Sequence, residues 1–574
     1  MGEVSVELST ADGSAIARED YTSVAQTLAF EDGEEGRKVV MVPILADSAS
    51  EPNETIELSL ADVRGCAQLG KQTSATMTIM DDDTAPATFT IGGTVSGLAG
   101  SGLVLSASGS SITASNGPFT MPKALQDGAT YDLQITQQPS NPLQVCAVTR
   151  GSGTIHNANV TDIAVDCTTP LPNGALDPTF GGNGKVSNNA LRPAVAMVRQ
   201  SDGKLVILSE QSRLSRYNVD GAQDLSFGTN GVAITTFNNG SDVPRGLALQ
   251  GDGKIVVVGR AFGGTLDDFG VARFNTNGTL DTDFGTNGKV LIDINGSFDE
   301  AIVPLIQPDG SIVVAGTGGT SGPLGVDSDF AAVRLTSDGD LDSGFGTGGK
   351  VRTNIAGRAD LVTSALLQPD GKIIVAGRVG VDGGALPDTG VVRYTSTGAL
   401  DLASFGHSTG IVRIDLSASG HDHDAPSGLA LTSDGKIVLA VEAAQTGIFQ
   451  HTLARLDALG ILDTSFGTQG VARNSFAAGG DFARELTIQA DGRIVTGGST
   501  RPTDSFSDDM LITRHEANGA LDATFGSGGK VLIDFFASAD GATALAIQPD
   551  GKIVAAGIAR NANTNSLAIV RLLP

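Results

Sequence analysis

Short runs in which apolar and polar residues alternate predict the secondary structure of the chain from its first residues onward. Such runs cover Val4–Leu8, Lys38–Leu45, Thr55–Leu60 and Ala75–Met80. A period of two places successive side chains on opposite faces, which is the pattern of a half-buried antiparallel strand. No stretch of useful length shows the 3.6-residue period of a helix. We therefore predict an all-β protein that begins with a β-sandwich over residues 1–83.

A second β-sandwich is predicted over residues 84–168, where strand-like runs such as Gly102–Ala107 alternate with Gly-rich turns. Cys146 and Cys167 lie near the ends of two further predicted strands, and we expect a disulfide between them. A disulfide would place the protein in an oxidising compartment. Cys66 is the remaining cysteine, and we expect a small buried apolar side chain there.

Residues 176–574, which follow a short stiff linker at 169–175, are self-similar. Three landmarks recur seven times in one fixed order: an Asp-Gly pair, a Leu-Asp-x-x-Phe-Gly element and an Arg that closes a short apolar run. The Asp-Gly pairs lie 50 to 64 residues apart, which is the size class of a propeller blade. The Asp, Phe and Arg landmarks are Asp202, Asp252, Asp309, Asp370, Asp434, Asp491 and Asp550; Phe180, Phe227, Phe284, Phe345, Phe405, Phe466 and Phe525; and Arg216, Arg273, Arg334, Arg393, Arg455, Arg514 and Arg571.

Four predicted strands fit into each repeat. In residues 543–556, for example, two apolar runs flank a Pro-Asp-Gly turn, in which Pro presets φ and Gly accepts a positive φ, so these runs form a hairpin. The run that ends in Arg adds a third strand, and a Gly-Lys-Val run adds a fourth. Seven such units predict a seven-bladed β-propeller of four-stranded blades over residues 176–574. A parallel β-helix is the competing architecture, but its coils are usually much shorter than these repeats.

The two ends of the repeat region each lack one strand. The first repeat has no Arg strand before it, and the last repeat has no Gly-Lys-Val run after it. We therefore predict that Gly184–Val186 pairs with Ala568–Leu572, which would unite both ends in one blade and close the ring.

The net charge of −27 limits the partners of this protein. Nucleic acids and anionic membranes would be repelled, so we expect neither a nucleic-acid partner nor membrane insertion. We also expect a monomer. Residues 1–83 alone contain 17 acidic and 5 basic residues. Such crowding requires a bound cation or full solvation, because neighbouring carboxylates repel one another.

The charged residues of the repeats are predicted to be structural, because every repeat has them. The Asp of Leu-Asp-x-x-Phe and the closing Arg would form hydrogen bonds within and between blades. Function is expected where the repeats differ. The segment His421–Asp424 has the composition of a transition-metal site, although an exposed polar loop explains it equally well. Four aspartates five residues before a repeated Arg form either a cation site or solvated turn carboxylates: Asp268, Asp329, Asp388 and Asp509.

The N-terminal segment resembles the Calx-β family. The matching residues include Glu19–Tyr21, Leu28–Glu34, Glu51–Glu54 and Thr78–Asp83. The resemblance implies a β-sandwich that binds Ca²⁺ at one end, where a hard cation takes about six to eight oxygen ligands. Ala46 stands where the family has another Asp, and we expect the first strand of the domain to lie upstream of this sequence. The implied ligands are Asp20, Asp47, Glu51, Glu54, Asp81, Asp82 and Asp83.

Two further resemblances concern the rest of the chain. The stretch Ile91–Leu105 resembles Ig-like spacer modules of bacterial surface proteins, and the three repeated landmarks resemble the delta-60 repeat of bacterial exported proteins. These resemblances imply a secreted or cell-surface protein, whose export signal we expect upstream of Met1. They imply an architecture and no particular chemistry, since one fold hosts many functions.

The sequence contains no His-Glu-x-x-His motif and no Gly-rich phosphate loop before a helix. We therefore name no catalytic residue and no cofactor other than Ca²⁺. We expect a non-catalytic extracellular binding, adhesion or scaffold protein whose propeller recognises a protein or a glycan. One alternative is a propeller enzyme, a glycan hydrolase or lyase with its site at the mouth of the central channel. A purely structural surface stalk and platform is the other alternative.

Overall fold

The computed structural model of the protein divides into two compact units, Met1–Pro170 and Leu171–Pro574. The described residues form 43 β-strands and no helix, which confirms the predicted all-β class. None of them belongs to a helix long and apolar enough to cross a membrane. The described residues are 2–234, 236–237, 242–264, 266–319, 328–355, 359–380, 387–416, 423–445, 447–502, 507–561 and 564–574.

The strands of the first unit are short, and several have only two to four residues. In chain order they are β1 (Val4–Asp12), β2 (Ala25–Phe30), β3 (Glu54–Arg64), β4 (Ser74–Ile79), β5 (Thr88–Phe89), β6 (Ile91–Ser96), β7 (Val104–Ala107), β8 (Ser110–Thr113), β9 (Gly117–Thr120), β10 (Leu125–Gln126), β11 (Thr130–Asp132), β12 (Gln134–Gln137), β13 (Val145–Thr149), β14 (Ser152–Thr154) and β15 (Val160–Thr168).

Residues 2–83 form one antiparallel sheet in the order β2-β1-β3-β4. Its core is small: Tyr21 and Ile56 are fully buried, and Met77 and Ile79 of β4 pack against them. The alternating residues of β1 and β3 therefore lie on a sheet that is covered mainly at one end.

The strand predicted over Lys38–Leu45 is not formed, and this prediction was wrong. Only Ile44 of this segment makes an isolated bridge, to Tyr21. No described strand pairs with the rest of the segment, so the side chains of Val39 and Met41 remain about four-fifths exposed. Alternating apolar residues favour a strand only where another strand offers hydrogen-bond partners and a surface to pack on.

Residues 84–168 form two larger sheets, in the orders β13-β15-β6-β9 and β12-β7-β8, and two short ribbons, β10-β5 and β11-β14. Cys146 of β13 lies directly opposite Cys167 of β15, and a disulfide joins them. Both are buried in the core of this segment, beside residues such as Ile163. Cys66, in contrast, is an exposed free thiol just after β3, so the expectation of a buried side chain was wrong. It lies in a polar turn, where there is no core to cover it.

The second unit contains longer and more regular strands. In chain order they are β16 (Lys185–Asn188), β17 (Ala194–Arg199), β18 (Leu205–Ser209), β19 (Arg213–Tyr217), β20 (Val232–Ile234), β21 (Val243–Leu249), β22 (Ile255–Phe262), β23 (Asp267–Phe274), β24 (Lys289–Ile292), β25 (Asp299–Ile306), β26 (Ile312–Gly319), β27 (Ser328–Leu335), β28 (Lys350–Thr353), β29 (Asp360–Leu367), β30 (Ile373–Val379), β31 (Asp388–Tyr394), β32 (Ile411–Ile414), β33 (Asp424–Leu431), β34 (Ile437–Gln445), β35 (Ile448–Leu456), β36 (Val471–Asn474), β37 (Asp481–Ile488), β38 (Ile494–Thr500), β39 (Asp509–His515), β40 (Lys530–Ile533), β41 (Asp540–Ile547), β42 (Ile553–Asn561) and β43 (Thr564–Leu572).

Repeated four-stranded antiparallel sheets make up this unit. Within the described residues, β17 to β40 form six sheets of four consecutive strands each, and β41, β42, β43 and β16 form one more. In the last sheet Lys185 faces Val570 and Val186 faces Ile569. The pairing of the two ends that was predicted from the sequence is therefore confirmed. The first strand of each sheet contacts the first strand of the next, and β41 also contacts β17.

In six of the seven repeats the Arg joins its own sheet to the following one through a backbone carbonyl of the next repeat. Arg273, for example, donates from Nε to Asp281 at 2.7 Å and from Nη1 to the carbonyl oxygen of Ser337 in the next repeat. Its guanidinium also lies 4.5 Å from the ring centre of Phe284. The other six repeats show the same carboxylate contact and the same ring contact, which confirms the structural role predicted for these residues.

The first strands of six sheets begin at, or directly after, an Asp that sequence analysis did not single out. Each lies ten residues before the Asp of an Asp-Gly pair, and Arg192 takes this place in the first repeat. In five of the six, one carboxylate oxygen accepts a hydrogen bond from a backbone N–H five residues earlier at 2.6 or 2.7 Å. The six are Asp242, Asp299, Asp360, Asp424, Asp481 and Asp540.

Asp299 is a strand-capping residue that lies among other carboxylates. It is fully buried, and its carboxylate lies within 4.8 Å of oxygens of Asp268 and Asp293. Burial is the largest cause that raises the pKa of Asp299, to about 7, and the charges of Asp293 and Asp268 add to the shift against hydrogen bonds from two backbone N–H groups. Asp540 is in the same situation, beside Asp534 and Asp509, with its pKa raised to about 6.

The pair between Arg571 and Asp177 should be essential for stability. Asp177→Asn removes the charge that faces Arg571 at 2.8 Å and Lys552 at 3.2 Å, and both members of the Arg571–Asp177 pair are buried. A buried pair that loses one partner costs roughly 3 to 5 kcal/mol of unfolding free energy, which denaturant titration would measure.

Asp283→Asn is the matched control, because this exposed residue carries the same charge, and its effect should stay below about 0.5 kcal/mol. Burial alone would raise the pKa of Asp177, but hydrogen bonds from Thr179 and Lys552 and the charge of Arg571 lower it to about 2. The difference between wild type and Asp177→Asn should therefore shrink as the pH falls from about 4 to about 2. Equal stability of the two proteins at neutral pH would contradict this account.

The capping residue Asp299 should make stability fall as the pH rises, which is the opposite of the effect expected for Asp177. Because its folded-state pKa is raised, the favourable contribution exists at low pH and is lost as the pH rises through about 7. Between pH 5 and pH 8, the unfolding free energy of wild type should fall by on the order of 2 kcal/mol more than that of Asp299→Asn. Unfolding midpoints at both pH values measure this, with the exposed Asp338→Asn as a control that should follow wild type. Parallel pH profiles of wild type and Asp299→Asn would refute it.

Candidate functional site

Three carboxylates converge at one end of the N-terminal sheet. Oxygen atoms of Asp20, Glu51 and Glu54 lie within 4.8 Å of one another. Glu54 is the first residue of β3, Glu51 lies in the segment that leads into this strand, and Asp20 lies in the loop after β1. Asp20 and Glu54 are half-buried, whereas Glu51 is exposed. The group is therefore open to solvent on one side.

Further carboxylates act on this group through their charge. The pKa of Glu51 is raised above its ordinary value, chiefly by the charge of Asp47 and then by desolvation. The charges of Asp20, Asp81 and Asp83 raise it further. Five acidic residues from three separate stretches of the chain are thus close enough to oppose one another's ionisation.

The three aspartates after β4 differ in their exposure to solvent. Asp81 and Asp83 are half-buried and Asp82 is exposed, as expected for extended backbone in which alternate side chains share a face. Desolvation, followed by the charges of Asp82, Asp81 and Asp47, raises the pKa of Asp83. Asp82 is exposed, as Asp47 and Glu51 are, and it acts on Asp83 through its charge. The other six predicted residues at this end of the sheet are Asp20, Asp47, Glu51, Glu54, Asp81 and Asp83.

Asp12 and Tyr21 hold the loop that presents Asp20, and sequence analysis missed this role. One carboxylate oxygen of Asp12 accepts hydrogen bonds from the backbone N–H of Ala17 and the hydroxyl of Tyr21, both at 2.8 Å. Tyr21 is fully buried, and Asp20 in turn accepts a hydrogen bond from the N–H of Ile16 at 2.7 Å. Asp12 is the last residue of β1, so the loop is anchored to the sheet.

The donor set of this cluster fits a hard divalent cation. All six gathered side chains offer carboxylate oxygens, and no thiol or imidazole is among them. Such oxygen-only sets suit Ca²⁺, while zinc and copper sites use nitrogen or sulfur ligands. The charge of Asp47 is the largest cause that raises the pKa of Glu51. Desolvation comes first for Glu54 and Asp83, and neighbouring carboxylates raise their pKa values further, so a bound cation would relieve part of these shifts.

In the second unit, the four aspartates that precede a repeated Arg do not share one environment. Arg352 pairs with Asp329 at 3.0 Å, and Arg413 pairs with Asp388 at 2.9 Å. Asp268 and Asp509 instead lie beside other carboxylates, which together with desolvation raise their pKa values. Asp329 is almost fully buried, so at this position the solvated-turn interpretation was wrong. Two of the four charges are thus neutralised within the protein.

The segment His421–Asp424 is described only in its second half, since His421 and Asp422 lie outside the described residues. His423 lies 5.7 Å from the ring centre of Phe449 in an edge contact, and Asp424 accepts a hydrogen bond from the N–H of Leu416 at 2.6 Å. Within the described part of the chain, neither residue belongs to a group of three converging metal-ligand side chains.

One catalytic-type motif was missed in the sequence. Gly406-His407-Ser408-Thr409-Gly410 matches the pattern Gly-x-Ser-x-Gly of hydrolase nucleophile elbows. The segment forms the turn before β32, with positive φ at both His407 and Ser408, and the strand that follows it is not a helix. A nucleophile elbow needs a strand-to-helix turn, so this context gives the serine no such role.

Comparison with known protein families finds a match within each unit. The family profile of the Calx-β domain matches residues 1–83. A profile described as a β-propeller domain of unknown function, DUF5122, matches six stretches of the second unit. These stretches are 200–227, 250–284, 307–345, 368–403, 489–525 and 548–574. No curated protein matches the chain in a sequence search.

Solved structures with a related shape are distant in sequence. The polysaccharide lyase Uly1 is 10% identical and aligns over 66% of this chain and 89% of its own, with a TM-score of 0.41. YCF48 bound to D1 peptide is 12% identical and aligns over 70% of this chain and 99% of its own, with a TM-score of 0.38. At these scores the likenesses carry no functional argument. The family matches are the stronger finding: this chain combines an N-terminal Calx-β domain with DUF5122 β-propeller repeats of the delta-60 type over residues 200–574.

Proposed function

We propose that this chain is an exported, non-catalytic binding protein in which a calcium-loaded Calx-β domain precedes a ligand-binding propeller. The convergence of Asp20, Glu51 and Glu54, with three further carboxylates close by, is the observation that carries the proposal. A Ca²⁺ ion would neutralise these charges and tie together the loop after β1, the approach to β3 and the end of β4. Calcium would then act on the rigidity of the domain and take no part in a reaction.

The second part of the proposal is that the sheets of the second unit are the blades of one closed seven-bladed ring. The contacts between successive first strands, which return from β41 to β17, support it. The pairing of β16 with β43 also supports it, because it joins the beginning and the end of the unit in one sheet. A ring held in this way offers a rigid platform for a protein or glycan ligand on the loops between strands.

Export to an oxidising compartment is the third part of the proposal. The disulfide between Cys146 and Cys167 supports it, since such bonds persist outside the cytosol. The acidic composition agrees with a role at a surface, where a strongly charged protein stays soluble and repels anionic membranes.

Calcium should raise the melting temperature of the full chain, because a ligand that binds only the folded state stabilises it. At a Ca²⁺ concentration 100 times the dissociation constant, the gain is about 2.7 kcal/mol. Differential scanning calorimetry of residues 1–574 in Ca²⁺ and in chelator measures this gain. Titration calorimetry gives the dissociation constant independently.

The variant Glu54→Gln should show a crossed pattern. In chelator it should melt at or above the temperature of wild type, because one of several repelling charges is gone. In Ca²⁺ it should melt below wild type, because an oxygen ligand is weakened. Glu57→Gln is the matched control, since Glu57 lies on the same strand and is exposed outside the cluster. If millimolar Ca²⁺ shifts no transition of the wild type, the calcium part of the proposal fails.

A further inference from the structure

Two phenylalanines and two arginines form a cluster between the sheet of β33–β36 and the sheet of β37–β40. The rings of Phe449 and Phe482 have centroids 5.1 Å apart, inclined at 38°. The guanidinium carbons of Arg484 and Arg501 lie 5.7 and 5.6 Å from the ring centre of Phe482. His423 lies against the outer edge of Phe449. Both phenylalanine rings are only half-buried, so part of this aromatic surface faces solvent.

The cluster lies on the side of the unit where the repeats differ. We call this side the variable face: the side at which the first strand of each sheet begins and its second strand ends. Phe482 directly follows the capping residue Asp481, and Arg501 directly follows the end of β38. The Asp-Gly turns lie at the opposite ends of the same strands, so the cluster does not overlap the repeated Arg–Asp contacts.

The two phenylalanines are not repeated at equivalent positions of the other sheets, whereas the two arginines have counterparts in Arg245 and Arg560. The residue after the capping Asp is Phe only at 482, and Val243, Glu300, Leu361, Ala425 and Gly541 take its place elsewhere. The residue six before the repeated Arg is Phe only at 449, and Glu210, Asp267, Ser328, Pro387, Asp508 and Asn565 take its place elsewhere. The stretches that match the propeller family also leave a gap between residues 403 and 489, and three of the four cluster residues lie in it: Phe449, Phe482 and Arg484. Packing of the repeat therefore does not account for the two phenylalanines.

The charges of the cluster are balanced in pairs. Arg501 binds Asp508 through two hydrogen bonds of 2.8 and 3.0 Å, and Arg484 faces Glu442 at 3.4 Å. Both arginine side chains are more than two-fifths exposed, whereas the two carboxylates are more buried. The site thus presents hydrogen-bond donors and acceptors with no net charge from these four residues.

We infer that this cluster binds a neutral saccharide, an inference that rests on the proposed role of the propeller as a ligand-binding platform. A pyranose has apolar C–H faces, which pack on exposed aromatic surface, and hydroxyl edges, which both donate and accept hydrogen bonds. Phe449 and Phe482 supply the first kind of surface, and the two ion pairs supply the second. A polyanionic glycan is disfavoured, because it meets a site of balanced charge on a protein of net charge −27.

The inference is tested with the full chain and a panel of neutral gluco-, manno- and galacto-oligosaccharides, with polyglutamate as an acidic-peptide probe. Saturation-transfer NMR detects binding, and titration calorimetry measures affinity. We expect at least one neutral oligosaccharide to bind wild type, and Phe482→Ala to weaken it at least tenfold. Phe482→Leu keeps an apolar side chain in place without the ring, and should weaken binding to a similar extent if the site is aromatic in nature.

Leu361→Ala is the matched control, because Leu361 is half-buried at the equivalent place in the sheet of β29–β32. It should leave saccharide affinity within twofold, and melting curves of all variants show whether the fold is retained. If a neutral saccharide binds but Phe482→Ala and Phe482→Leu leave its affinity unchanged, this site is wrong while the propeller remains a glycan binder. If only polyglutamate binds, or if no neutral saccharide does, the inference is overturned, and the calcium-dependent melting of the first unit remains a separate test of the proposed function.

Discussion

The arginine near the end of the third strand of every sheet makes the contact on which the second unit depends. A guanidinium excluded from water must be paired: each of these arginines pairs with an Asp, and six of the seven also bind a backbone carbonyl of the next repeat. In these six repeats the position of the sheet relative to the next is thus linked to the same contact. The Asp that pairs with Arg571 is Asp177, at the other end of the unit. The Arg–Asp pair of the last repeat therefore forms only when the two ends of the unit meet.

This dependence explains why the architecture could be predicted from the sequence. Gly310 and its counterparts adopt φ near +88°, a conformation that few other residues tolerate, so the Asp-Gly pairs mark the hairpins. The buried Arg and Asp mark the third strand and the loop after it. The first and last repeats each lack one strand, so the two ends could complete a sheet only by pairing with each other. Lys185 lies opposite Val570 in that pairing.

Other features depended on tertiary context that residue patterns do not carry. Lys38–Leu45 has the alternation of a strand, yet no described strand pairs with it beyond the single bridge at Ile44. Asp299 and the other strand-capping residues were missed because the connection before them varies in length, and because a buried carboxylate held mainly by backbone N–H groups is an unusual choice. At the acidic cluster, the predicted ligands were identified through the resemblance to the Calx-β family. The exposure of Asp82 between the half-buried Asp81 and Asp83, and the anchoring by Asp12, became clear only in three dimensions.

The charges that stabilise the fold differ from those that are available for binding. The Asp that pairs with each repeated Arg cannot take an outside ligand without losing a contact that stabilises the unit. In the first unit the carboxylates near Glu51 face one another instead, so a cation relieves repulsion there. Around Phe482 the ion pairs are exposed on the arginine side and the rings are partly uncovered, so a ligand can add hydrogen bonds without breaking existing ones. Binding at both places therefore leaves the repeated Arg–Asp pairs intact.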